Sequence, residues 1–244
     1  MIRFLLALIL ATAPVAAFAQ SAPAEGPAPV VLELFTSQAC AFCPPADALM
    51  GQMIQQKNII GLSCHVDYFG VKHNSLGKSF CTRRQNEYGR LIGTGPRYTP
   101  QLVVNGHMDM IGYETGRVSA AVLKARGEKM KNIVITPVSD GTYNFTLPQM
   151  AVGKDVRLLV AIYDAPKTMA MTEGSNFGKK LTYFNVVSKM DDIGLWNGDA
   201  STQVLRVDYT PQSAGVAILA QDGKTGKIIA AGAYQKAPVV VSQR

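Results

Sequence analysis

The chain has 244 residues, 48% of them apolar, and a formal net charge of +7. That length suits one large domain or two small ones, and the apolar share is enough for a proper core. Four cysteines are too few for a small disulfide-rich scaffold. The lysines and arginines are scattered, with no stripe of basic and aromatic residues, which argues against a nucleic-acid partner.

Arg3, the apolar run over residues 4–11 and the small residues Ala17 and Ala19 read as an export signal over residues 1–19, cut before Gln20. The run is too short to span a bilayer, which takes about 20 apolar residues. No later stretch is apolar enough to span either. The expected product is periplasmic or secreted and not membrane-spanning after cleavage. Residues 20–29, rich in Pro and Ala, read as a flexible leader.

Residues 30–131 read as a first domain. An apolar run at 30–35 predicts a strand. Pro44-Pro45 suits the first turn of a helix, where a missing N–H costs nothing. Ala46, Leu49, Met50, Met53 and Ile54 recur at helical spacing and carry that helix to about Lys57. Residues 59–66 predict a second strand buried on both faces, so the order strand, helix, strand opens an α/β unit with a parallel pair. Residues 79–92 predict a helix with Phe80, Tyr88 and Leu91 inward. A strand at 101–104, Asn105-Gly106 and a return strand at 107–111 predict a hairpin. Residues 115–130 predict a helix with Val118, Ala121, Val122 and Ala125 inward. Residues 132–244 change pattern. Strand-like runs at 133–138, 143–147, 156–163, 181–187, 203–209, 216–220 and 228–233, divided by turn signals, predict a mostly antiparallel, sandwich-like β-rich part.

Cys40-Ala41-Phe42-Cys43 lies between the first strand and the first helix. A helix N-terminus favours an anion, so Cys40 is the expected thiolate and attacking group. Cys43, three residues on, can close or resolve a disulfide. Three other readings of the pair stand beside exchange. Zinc wants a second such pair or close histidines, which the spacing of Cys64 and Cys81 does not supply. An exported compartment also permits a purely structural disulfide. Copper would suit two thiolates with His65, or with His107 and the Met108/Met110 pair, which otherwise read as strand packing. No metal and no cofactor is expected.

Thr99-Pro100, directly before a strand, is where a cis proline would face the cysteines and offer its neighbouring backbone to an extended substrate. Glu33 and Asp67 are candidates for proton transfer to or from Cys43, if burial raises their pKa. His65 reads as a core residue, and Tyr68 and Gln85 as site walls or packing. Cys64 and Cys81 are candidates for a second disulfide.

Glu33-Leu34-Phe35-Thr36-Ser37-Gln38 leading to Cys40, Cys43 and Pro44-Pro45-Ala46-Asp47 resembles the family called domain of unknown function 1223. His65-Val66-Asp67-Tyr68, Arg84-Gln85, Tyr98-Thr99-Pro100-Gln101, Gly174-x-Asn176-x-Gly178, Asn185-Val186-Val187 and Gly194-x-Trp196 continue the likeness over nearly all of the chain after the signal. The resemblance implies a thioredoxin-like fold with an added β-rich part, an exported location and a Cys40/Cys43/Pro100 constellation. Ala39 stands where the family commonly has Gly, and would be strained at a positive φ. Cys64 and Cys81 lie outside the family's usual pattern. The expected function is thiol–disulfide exchange with protein thiols and disulfides of the periplasm. The alternatives are a copper metallochaperone, or a binding module whose thioredoxin-like part is only structural.

Overall fold

The computed structural model describes residues 27–236. The expected export signal and residues 20–26 of the leader lie outside the described residues. The described chain is mostly β, with three α-helices and strands in several sheets.

β1 (Val30–Thr36) is buried along its whole length because both of its faces meet apolar layers. α1 (Cys43–Met53) presents Ala46, Leu49, Met50 and Met53 to one of them, the i, i+3, i+4, i+7 stripe of a half-buried helix. It ends earlier than its apolar spacing suggests. Gln55 and Gln56 donate to carbonyls only three residues back, and Asn58 turns left-handed at φ 59°. β2 (Ile59–His65) pairs parallel with β1. α2 (Ser79–Ile92) ends at Gly93, whose φ of 66° closes the helix as a left-handed cap. β3 (Gln101–Val104) runs antiparallel to β1 and to β4 (Met108–Ile111). Their turn is the predicted one, with Asn105 and Gly106 both at positive φ. α3 (Thr115–Arg126) buries the four residues expected of it. The sheet order is β2-β1-β3-β4, and α1 and α3 pack on one face.

β5 (Lys131–Asn132), β6 (Val134–Ser139), β7 (Thr142–Leu147), β8 (Val156–Asp164), β9 (Lys167–Ala170), β10 (Lys180–Tyr183), β11 (Val187–Leu195), β12 (Ser201–Arg206), β13 (Ser213–Asp222) and β14 (Ile228–Gln235) follow. A five-stranded sheet, β11-β8-β13-β14-β5, meets a three-stranded one, β12-β7-β6, over a shared apolar cluster. The other face of the five-stranded sheet packs on α2 and on the far face of the β1 sheet. β8 and β13 are therefore covered on both sides, which is why they read as unbroken apolar runs. The expected division between residues 131 and 132 falls inside β5, and one apolar cluster draws on both sides of it. The predicted strand at 181–187 is two strands. Asn185, at φ 46°, breaks it, and its side chain donates to the Gly61 carbonyl at the edge of β2.

The inward face of α2 buries Tyr88 of the predicted apolar set and packs Phe80 partly against the same cluster, but it is more polar than predicted. Cys81, Arg84, Gln85 and Tyr88 are the buried residues. The Arg84 guanidinium forks onto Glu33 at 2.9 and 3.0 Å, reaches Gln221 of β13 and donates to the Tyr88 hydroxyl at 2.7 Å. Burial works against its charge, and Glu33 beside it holds the charge in place. Arg84→Met should leave Glu33 buried and unpaired and cost about 3–5 kcal/mol, seen as a lower urea midpoint. Adding Glu33→Gln to Arg84→Met should recover much of that loss.

Candidate active site

β1 ends on Thr36, and the next six residues turn the chain into α1. The Ser37 hydroxyl accepts from the Ala39 N–H at 3.1 Å, and the Ser37 carbonyl accepts from Cys40 at 3.2 Å. Ala39 is not at positive φ, so the strain expected of a residue in the glycine position is absent. Pro44 and Pro45 occupy the first turn of α1, where their missing N–H groups leave no bond broken.

Cys40 and Cys43 are both reduced and buried, 4% and 0% exposed. Cys40 Sγ lies 3.6 Å from the Thr99 carbonyl, and the Thr99–Pro100 peptide is cis. The Cys43 thiol donates to Cys40 and is the main cause that lowers the Cys40 pKa to about 6, against the opposing effect of burial. Thr99 and the N–H groups of Phe42 and Cys43 add to the lowering. The same bond and burial raise Cys43 far above a normal thiol. The pair is thus split into one thiolate and one firmly protonated partner at neutral pH.

One helical turn beyond Cys43, Asp47 faces the same way. It is buried and neither carboxylate oxygen has a hydrogen-bond partner. Burial is the largest effect on it, eased by Thr36 and added to by the Cys40 charge, and its pKa is pushed up to about 8. Thr36 lies between Asp47 and Cys43, within electrostatic reach of both, yet its hydroxyl closes no full hydrogen bond. Beside Thr36 on β2 is His65, with both ring nitrogens unpartnered and Tyr183 edge-on at 4.9 Å. Burial keeps His65 neutral, its pKa down to about 3. Thr36, Asp47, His65 and Tyr183 form a buried polar floor under the thiols.

The segment after β8 covers the thiols from above. Asn176 Nδ2 donates to the carbonyls of Gln38 and Cys40, both at 2.9 Å, and is fully buried. Gly174, at φ 73°, lies over Ala39. The Phe184 ring packs on Gly51 so closely that a Cβ there would be 2.4 Å from it. Exposed aromatics surround the turn: Phe42 beside Tyr113 at 6.4 Å, and Tyr68 with Arg97 over its ring at 4.5 Å.

Cys40, Cys43, Thr99 and Pro100 therefore meet as anticipated. Glu33 and Asp67 do not join them. Glu33 points to the opposite face of the sheet, where it is bound by Arg84 and Tyr88. Asp67 is exposed and bonded to Thr82. Asp47 is the carboxylate next to the thiols, and its i+4 spacing from Cys43 was the signal available for it. Cys64 and Cys81 form a disulfide within the cluster on the far face of the sheet. Met108 and Met110 pack in the α1/α3 layer, and His107 pairs with Glu128 at 3.1 Å. Among the described residues no three His, Cys, Asp or Glu side chains converge on a point that could hold a metal ion.

A family model described as "Protein of unknown function (DUF1223)" matches residues 31–221, a span holding the thiols, the cis proline, Asp47 and Asn176. The chain belongs to that family. A crystal structure of a protein from Agrobacterium tumefaciens is 27% identical with a TM-score of 0.72, covering 91% of this chain and 100% of that one. HBP35 of Porphyromonas gingivalis is 16% identical with a TM-score of 0.62, covering 89% of this chain and 78% of that one, a likeness of fold. No curated protein matches the chain.

Two tests follow from the geometry of this DUF1223 site. Asn176→Ala leaves the Gln38 carbonyl without its donor and the Cys40 carbonyl with only the Cys43 N–H at 3.3 Å, so stability should drop by about 2 kcal/mol and Cys40 should alkylate faster. Unchanged alkylation would mean that Asn176 does not shield the thiol. Asp47 binds its proton more tightly folded than unfolded, because its value rises from 3.8 to about 8. The stability this provides is whole below the lower value and lost as pH rises through the upper one. Between pH 4 and 8 the wild type should lose on the order of 5 kcal/mol relative to Asp47→Asn, measured by urea unfolding across that range.

Proposed function

We propose that this protein is an exported thiol–disulfide oxidoreductase, thioredoxin-like in its first half, with Cys40 as attacking and Cys43 as resolving thiol. The observation that carries the reading is the split pair itself: Cys40, beside the cis Thr99–Pro100 peptide, with its pKa lowered by the Cys43 thiol, the Thr99 side chain and the N–H groups of Phe42 and Cys43, and its protonated partner one turn away. Support for the fold comes from the parallel β1/β2 pair, the antiparallel β3/β4 hairpin and helices on both faces of that sheet. Support for export comes from the signal read in residues 1–19, and a periplasmic or secreted setting follows from it.

In the reduced protein, Cys40 attacks one sulfur of a substrate disulfide, breaks the S–S bond and releases one substrate thiolate. The mixed disulfide removes the Cys40 charge, which is one of the effects holding the Asp47 pKa up. Losing that charge lowers the Asp47 pKa, so Asp47 ionises more readily and is free to take the proton when Cys43 must lose it. Cys43 then attacks Cys40 Sγ and expels the second substrate thiolate. Two electrons pass to the substrate and a Cys40–Cys43 disulfide remains. The reverse sequence oxidises a substrate dithiol.

A glutathione redox titration of the purified protein, read by alkylation at each cysteine, checks this. The Cys40–Cys43 couple should titrate between about −270 and −120 mV, the range of exchange proteins. A couple locked below about −300 mV is a structural disulfide, and the binding-module reading would replace this one.

A further inference from the structure

A cleft of about 400 Å³ lies between the last turns of α2 and the loop that leads to the cis proline. That size is right for a small molecule. Arg90 and Arg97 line it, together with the amides of Gln85, Asn86 and Gln101. Both arginines are exposed, and among the described residues neither pairs with a carboxylate. The carboxylate near these walls, Asp109, is taken by the Tyr98 hydroxyl at 2.9 Å and by Gln101 at 3.3 Å.

The cleft adjoins the loop that borders the thiol site. Gln85 Nε2 donates to the Tyr98 carbonyl at 2.7 Å, one residue before the Thr99 carbonyl that Cys40 touches. Arg97 lies over the Tyr68 ring, and Tyr68 is within electrostatic reach of both thiols. Gln85 is itself 1% exposed, and its Oε1 is buried without a partner. The wall thus offers two exposed cations for carboxylates over a buried amide layer of Gln85 and Gln101. Cys40, at 4% exposure beneath the Asn176 clasp, excludes a bulky approach.

We propose that the Arg90/Arg97 cleft docks the carboxylates of a low-molecular-weight, peptide-type disulfide, holding its sulfur toward Cys40. This rests on the exchange reading above and narrows its substrate from protein disulfides to small anionic ones. In the step it serves, the Cys40 thiolate bonds to one sulfur of the docked disulfide, and the other sulfur leaves as a thiolate. Cys43 gives up its proton to Asp47, closes on Cys40 and releases the docked half as a second thiolate, so the protein loses two electrons and the disulfide gains them.

The test is the second-order rate of oxidation of the reduced protein by three probes: glutathione disulfide (anionic), 2-hydroxyethyl disulfide (neutral) and cystamine (cationic). Each is run on the wild type, Arg97→Gln and Arg90→Gln/Arg97→Gln, with a thermal melt to show that the variants fold. Arginine–carboxylate pairing leads us to expect about a tenfold loss for glutathione disulfide in the double variant. The neutral probe should change by less than about twofold, and cystamine should react faster in the variants than in the wild type, as removal of two cations requires. S-methylglutathione, which carries the carboxylates and no exchangeable sulfur, should inhibit the first reaction in the wild type alone. Equal losses for all three probes, or no loss, would overturn the cleft assignment and leave exchange standing. No oxidation by any probe would overturn both.

Discussion

One buried guanidinium joins the two halves of this fold. Arg84 sits between the β1 sheet and the five-stranded sheet, and its donors go to Glu33 on one side and Gln221 on the other. Glu87 extends the chain of charges from α2 to Arg157 on β8 at 2.6 Å. A charge at that depth is tolerated only if every donor is answered, so α2, β1 and β13 must dock in one register. That requirement fixes where the two sheets lie against each other. It also sets where the far face of β1 ends and its α1 side begins.

The thiol site is built on that α1 side, with contributions from widely separated parts of the chain. The thiols come from the turn after β1, the cis proline from the loop before β3, and the clasp from residues 174–176, more than a hundred positions later. Because β8 and β13 are pinned by the Arg84 network, the loop that follows β8 is delivered to the Cys40 turn. The β-rich part of the protein is thereby a wall of the site and not an appendage. The orphaned polar atoms beneath the thiols, on Thr36, Asp47 and His65, are the cost of keeping proton-exchanging groups next to a sulfur pair in a dry floor.

Much of this was legible in the sequence where local rules act alone. The Asn105-Gly106 turn, the inward residues of α3 and the unbroken runs of β8 and β13 each express a short-range preference. The thiol pair and the cis Thr99–Pro100 bond were legible because their order along the chain is informative. What failed depended on partners far away in sequence. Glu33 looked like a proton carrier because Arg84 could not be seen opposite it. The inward face of α2 looked more apolar than it is because hydropathy ranks Phe80 and Leu91 above Arg84 and Gln85, whereas a satisfied network buries the latter two beside Tyr88. β9 and most of β11 are exposed, so no alternation marked them. Asn176 was visible as part of a Gly-x-x-x-Gly turn, but nothing local says that its amide reaches residue 40.

Four cysteines can pair in three ways, and the β1 sheet sorts them. Cys64 points from β2 toward the α2 side, where it meets Cys81, while Cys40 and Cys43 open on the α1 side. Once β1 and β2 have paired, a wrong bridge would have to pass through a strand buried on both faces. Pairing is therefore channelled by geometry: the sheet acts as a partition, with the Cys64–Cys81 bridge on one side and the free thiols Cys40 and Cys43 on the other.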